Sequence, residues 1–196
     1  MAFTPPKVHS TKQWKNLRVG LFGGTFNPPH EGHLHVCDVA LKTGQFDFIW
    51  WMVTPQNPLK KNQKTPGFQK RVEWSKEIVT NPRILVSDIE DQLQTFKTID
   101  TIKELKKAFP HTEFTFLAGM DNALNLHQWE EWQTLLNLIP FMFIARPPAN
   151  NLVKSCPAKM LGHKNMSWVY ETKLVYQSSS ALRQKSSRVE KNAKKE

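Results

Sequence analysis

Short apolar runs alternate with stretches of helical spacing along most of this chain. Leu17-Arg18-Val19-Gly20-Leu21-Phe22 is a brief apolar run ending at Gly23-Gly24, which predicts a buried strand stopped by a turn. Beyond Pro28-Pro29, residues 32–43 place Leu34, Val36, Val39, Ala40 and Leu41 mainly at helical spacing, so a helix is expected to begin near His30 or Glu31. A second strand is expected over 46–53, then a Pro-rich loop over 54–66. The pattern continues with a helix over 68–79, a strand over 84–86 and a helix over 98–109 carrying Ile99, Ile102 and Leu105. A strand over 114–118 leads to a turn at Gly119, a short helix over 123–126, a helix over 132–138 and a strand over 141–145. Strands alternating with helices indicate an α/β domain with a central, mainly parallel sheet flanked by helices. Ligands of such sheets gather at the carboxyl ends of the strands.

Composition narrows this picture. A chain of 196 residues, 39% hydrophobic, is enough for one domain with a proper core and too short for two large ones. The longest unbroken apolar run, Phe48 to Val53, is six residues, so no bilayer span is expected. The first fifteen residues include Pro5, Pro6, Lys7 and Lys12 without an apolar stretch, and Cys37 and Cys156 form no metal or disulfide spacing. A reduced, cytoplasmic setting is the expectation. The net charge of +10 admits nucleic acid, an anionic membrane or small polyanionic substrates as partners. It is unevenly placed: +3 lies in residues 1–17, +3 in 184–196 and +4 between them. The expected organisation is a flexible basic segment over 1–16, a single domain over 17–184 and a flexible basic tail over 185–196.

The segment Gly23-Gly24-Thr25-Phe26-Asn27-Pro28-Pro29-His30-Glu31-Gly32-His33 sits between the first strand and the first helix. Two glycines let the backbone approach a ligand, and the helix start offers unpaired N–H groups and partial positive charge to a phosphate. His30 and His33, three residues apart, can face one ligand from the first helical turn. Imidazole N–H groups there can donate to phosphate oxygens. A metal site at His30, His33 and His35 would need further ligands, and no cysteine or carboxylate constellation completes it. A purely structural Gly-Gly turn with incidental histidines leaves the strand-turn-helix placement unexplained.

Gly24-Thr25-Phe26-Asn27-Pro28-Pro29-His30-Glu31-Gly32-His33 resembles the (H/T)xGH signature of the nucleotidyltransferase superfamily, in the extended form of bacterial nicotinate-nucleotide adenylyltransferases. The HxGH core alone is shared with pantetheine-phosphate adenylyltransferases, cytidylyltransferases and class I aminoacyl-tRNA synthetases. Later segments match in order over roughly residues 18 to 184. Thr54-Pro55-Gln56-Asn57-Pro58-Leu59-Lys60 is similar to the family loop ending in Pro-His-Lys, with Leu59 in place of the histidine and the cation kept at Lys60. Arg71 matches a family arginine. Lys97-Thr98-Ile99-Asp100-Thr101-Ile102 is similar to the Tyr-Thr-x-x-Thr-Leu segment near the nicotinate, with Lys97 in the tyrosine place. Gly119-Met120-Asp121 resembles the Gly-x-Asp that holds the adenosine ribose, and Trp129 falls where an aromatic ring stacks on nicotinate. Ser178-Ser179-Ser180-Ala181-Leu182-Arg183 resembles the second signature, Ser-Ser-Thr-x-Ile-Arg.

The resemblance implies a Rossmann-like nucleotidyltransferase fold and adenylyl transfer from ATP to nicotinic acid mononucleotide, giving deamido-NAD and pyrophosphate in NAD biosynthesis. It implies catalytic roles for His30, His33, Lys60 and Arg183. ATP would meet Gly23, Gly24, Thr25, Phe26, Gly119, Asp121, Ser179 and Ser180. The mononucleotide would meet Asn27, Arg71, Thr98 and Trp129. Mg²⁺ is expected to accompany ATP, with no resident metal site. The competing readings are another small HxGH adenylyltransferase, such as one acting on pantetheine phosphate, and a basic nucleic-acid-binding module. The second needs exposed aromatics interleaved with basic residues, a pattern the sequence lacks. The expected partners are therefore ATP and the mononucleotide, without nucleic acid or membrane.

Overall fold

The computed structural model describes residues 3–55, 65–145 and 156–170. Six apolar segments become strands: β1 (Arg18–Gly24), β2 (Phe48–Val53), β3 (Ile84–Ser87), β4 (Glu113–Gly119), β5 (Phe141–Ile144) and β6 (Met166–Val169). They form one sheet in the order β3-β2-β1-β4-β5-β6, with every neighbouring pair parallel. The helices are α1 (Glu31–Thr43), α2 (Phe68–Ile78), α3 (Ile89–Gln92), α4 (Thr98–Ala108), α5 (Met120–Asn125), α6 (Trp132–Leu138) and α7 (Pro157–Leu161). This is the doubly wound Rossmann-like order.

The strands are apolar on both faces because both are covered. In β2, Ile49, Trp51 and Val53 pack on one face with Val36, Val39 and Ala40 of α1 and Val72 of α2. Trp50 and Met52 point the other way, into a cluster with Ile99, Ile102 and Leu105 of α4 and Leu135 and Leu136 of α6. Gly44 closes α1, its N–H donating to the Ala40 carbonyl at 2.8 Å. A Cβ at Gly44 would run into the Phe46 ring, so glycine allows the chain to fold straight back into β2. Among the described residues no helix is long and apolar enough to cross a membrane.

Three expectations need correction. Gly23 and Gly24 belong to β1, opposite Met52 and Val53, because their backbones stay extended and the parallel ladder continues through them. The helix expected at 123–126 starts at Met120 with Gly119 as its N-cap, so β4 runs into α5 without a separate turn. The segment 1–16, expected to be flexible, packs on the sheet over its described part. Trp14 ends a 3₁₀ turn, Lys12–Trp14, and is fully buried, its ring edge-on to Trp50 at 4.8 Å and Phe48 at 5.6 Å. Burying so large an aromatic surface outweighs the local polarity that suggested a tail. The C-terminal segment 185–196 lies outside the described residues.

Candidate active site

In this strand order β1 and β4 are neighbours, and their carboxyl ends mark the switch point where a crevice forms. Residues 25–30 lead from β1 to α1 across that edge. Phe26 takes the left-handed region at φ 48°, which costs energy in a non-glycine residue and is held by packing. Its buried ring stacks on Trp51 at 4.3 Å and meets His33 edge-on at 5.0 Å. Phe22 lies 6.1 Å from the same imidazole, so an aromatic floor of Phe22, Phe26 and Trp51 supports His33.

His30, at 3% exposure, is the extended N-cap of α1, and His33 stands in the first helical turn. Their rings stack at 3.7 Å. The His33 N–H donates to the His30 carbonyl at 2.8 Å, and the His30 N–H donates to His33 Nδ1 at 3.2 Å. A neutral imidazole that accepts at Nδ1 carries its proton on Nε2, so this contact makes His33 Nε2 a donor. Such a donor at a helix N-terminus suits a phosphoryl oxygen. Gly24 is needed for shape: a Cβ there would lie 3.0 Å from the Phe26 ring. Thr25 Oγ1 is buried without a hydrogen-bond partner among the described residues.

Arg71 departs from the role the resemblance implied. It is 2% exposed, and its guanidinium donates to the main-chain carbonyls of Thr25 at 2.7 Å, Thr54 at 2.8 Å, Pro55 at 2.8 Å and Pro66 at 3.1 Å. Burial lowers its pKa from the ordinary arginine value. Committed to these carbonyls, it braces the loop after β1 against both ends of the loop between β2 and α2, and the correction is from mononucleotide contact to clamp. Sequence spacing carried a signal for this, since Phe68, Arg71, Val72 and Ser75 share the inward side of α2.

The other half of the crevice lies beyond β3 and β4. Gly119 and Asp121 stand at the β4–α5 junction, Asp121 half-buried in the first helical turn. Thr98 opens α4, preceded by Lys97 in an extended conformation. Trp129 is half-buried, its ring edge-on to Phe116 at 5.7 Å. Lys97 Nζ pairs with Glu130 at 2.7 Å and Lys103 with Glu131 at 3.5 Å, tying α4 to the Trp129 turn. Glu130 raises the Lys97 pKa. The tyrosine-to-lysine departure therefore puts an ion pair beside the tryptophan. Lys60, Ser179, Ser180 and Arg183 lie outside the described residues. Sequence reasoning missed Glu90, buried on α3, since one acid in a short polar stretch carries no periodic signal.

Comparison with known proteins bears on the family and the fold. Residues 21–185 match the cytidylyltransferase-like family. A probable nicotinate-nucleotide adenylyltransferase of Ruegeria sp. (strain TM1040) is 42% identical over 131 residues, covering 67% of this chain and 69% of the relative. Its counterpart in Parvibaculum lavamentivorans is 41% identical, covering 72% of this chain and 71% of the relative. Among solved structures, the Plasmodium falciparum nicotinic acid mononucleotide adenylyltransferase complexed with NaAD superposes with a TM-score of 0.72 at 21% identity. That match covers 86% of this chain and 83% of the other, and it supports the fold.

Proposed function

Since the chain belongs to the cytidylyltransferase-like family and, within it, to the nicotinate-nucleotide adenylyltransferases, we infer that it transfers the adenylyl group of ATP to nicotinic acid mononucleotide. The products are deamido-NAD and pyrophosphate, and the step belongs to NAD biosynthesis. The mononucleotide phosphate attacks the α-phosphorus of ATP, forming one P–O bond as the bond to pyrophosphate breaks. Such a transfer needs in-line placement and stabilisation of charge, with no covalent enzyme intermediate.

The observation that carries this reading is the stacked His30–His33 pair at the start of α1, with His33 Nε2 set as a donor. His33 donates to the α-phosphate and its bridging oxygen, and His30 steadies the triphosphate. Gly24 and Phe26 shape the wall beside them. Asp121 takes the ribose, and Lys60 and Arg183 neutralise the β- and γ-phosphates. Main-chain N–H groups at the start of α4 receive the nicotinate carboxylate near Thr98, and Trp129 offers a stacking face.

Among the described residues no three His, Cys, Asp or Glu side chains converge as a metal site. The donors around His33 are imidazoles and main-chain N–H groups, so Mg²⁺ fits as a companion of ATP, held by phosphate oxygens and water. It would offset phosphate charge when bound. Purified protein given ATP, Mg²⁺ and nicotinic acid mononucleotide should release pyrophosphate and form the dinucleotide. Turnover with pantetheine phosphate and none with the mononucleotide would overturn the reading.

A further inference from the structure

The turn that carries Trp129 is joined to α4 by charge. Between the 3₁₀ turn Leu126–Gln128 and α6 the chain has three residues, Trp129, Glu130 and Glu131. Two adjacent acids repel, and each is offset by a lysine of the α4 segment: Glu130 by Lys97 at 2.7 Å and Glu131 by Lys103 at 3.5 Å. Lys106 Nζ adds a third tie, donating at 2.9 Å to the carbonyl of Leu138, the last residue of α6. Glu131 takes the left-handed region at φ 48°, a conformation that a residue with a side chain keeps where its surroundings hold it.

The three ties hold different things. Lys103 and Lys106 lie along the body of α4 and fix it beside α6. Lys97 stands at the ligand end. It is the extended N-cap of α4, next to Thr98, and its carbonyl accepts the Thr101 N–H at 3.0 Å in the first helical turn. Glu130 directly follows Trp129, whose own main-chain bonds are local: its N–H donates to the Leu126 carbonyl at 2.9 Å, and its carbonyl accepts the Trp132 N–H at 3.3 Å. One charge-assisted hydrogen bond, Lys97 Nζ to Glu130 Oε1, therefore links the start of α4 to the tryptophan turn. The lysine stands in the tyrosine place, so the resemblance by itself does not supply this link.

We propose that Lys97 and Glu130 are positioning residues, a clasp that sets the Trp129 ring against the start of α4 and so fixes the width of the slot for the acceptor's ring. The role of the slot rests on the adenylyltransferase reading; the clasp rests on the ion pair. Both side chains are about half exposed, at 45% and 55%, so the pair adds little to global stability and shifts a local equilibrium by about two- to fivefold.

The test compares full-length wild type, Lys97→Met, Glu130→Ala and the reversed pair, Lys97→Glu with Glu130→Lys. Two readouts are followed at low salt: steady-state constants for both substrates, and amide hydrogen exchange in the first turn of α4 and in the Trp129 turn. Each single variant should raise the KM for the mononucleotide about two- to fivefold and quicken exchange in both segments, with kcat, the KM for ATP and the melting curve close to wild type. The reversed pair should return both readouts to within about twofold of wild type, as coupling between the two residues requires. At about 1 M salt the gap between wild type and either single variant should close. Single variants with wild-type exchange, or a reversed pair no better than the singles, overturn the clasp. A raised KM in Lys97→Met with Glu130→Ala unchanged also overturns it, in favour of direct contact between Lys97 and the acceptor. Quickened exchange in a protein that makes no dinucleotide keeps the clasp and sinks the adenylyltransferase reading. Dinucleotide formation with exchange and KM unchanged in the singles does the reverse.

Discussion

His33 illustrates how much of a site can be set by one residue's surroundings. Its stacking partner and Nδ1 contact come from His30 in the same motif, and its aromatic floor joins Phe26 of the motif to Phe22 of β1 and Trp51 of β2. The His33→Ala variant should lose roughly a hundred- to ten-thousand-fold in turnover while its melting curve stays close to wild type. Near-normal turnover in a folded variant would remove His33 from the mechanism. Gly24 supplies a second, finer case. Gly24→Ala must push the Phe26 ring aside by a few tenths of an ångström, disturbing the floor under His33. Its kcat should fall several-fold with little change in stability, as activity and melting measured together would reveal. The histidines were legible because their spacing and their place between strand and helix are sequence properties. The inward turn of Arg71 was less so, because a charged residue reads as solvent-facing until the carbonyls around it are known.

At the level of elements, the loops at the carboxyl edge are held by main-chain contacts from buried side chains. Arg71 joins three chain segments through four carbonyls. Lysine cannot reproduce that planar fork, so Arg71→Lys should cost about 3 kcal/mol or more in urea unfolding and also lower activity. A loss confined to mononucleotide KM, with stability intact, would restore direct contact as its role. Glu90 makes stability depend on pH. Its folded pKa, about 7, stands above the unfolded value, so the fold binds the extra proton. That contribution is complete below about pH 4.5 and is lost as the pH climbs towards 7, roughly 3 kcal/mol in all. Glu90→Gln should therefore be more stable than wild type at about pH 8, by denaturant titration. The longer elements were legible from periodicity. The elements α3, α7 and β6 were not, since each is four or five residues long and, unlike the equally short β3 and β5, holds no unbroken apolar run of three.

For the whole molecule, the parallel sheet was foreseeable from alternating strands and helices, while its N-terminal edge was not. Trp14 is one aromatic residue in a basic stretch, and its value lies in Phe48 and Trp50, which are distant in sequence. Trp14→Ala should cost about 3–5 kcal/mol, lowering the melting temperature by roughly 10 °C. The charge of +10 also reads differently at this scale. Its end segments hold +3 each, and the central stretch carries Lys60 and Arg183, cations suited to a triphosphate. The central claim is the acceptor. Pyrophosphate release measured with ATP and a panel of phosphate acceptors tests it most directly. Nicotinic acid mononucleotide should be preferred, its amide should be used less well, and pantetheine phosphate should be inert. A preference for pantetheine phosphate, or equal use of acid and amide, would contradict the account.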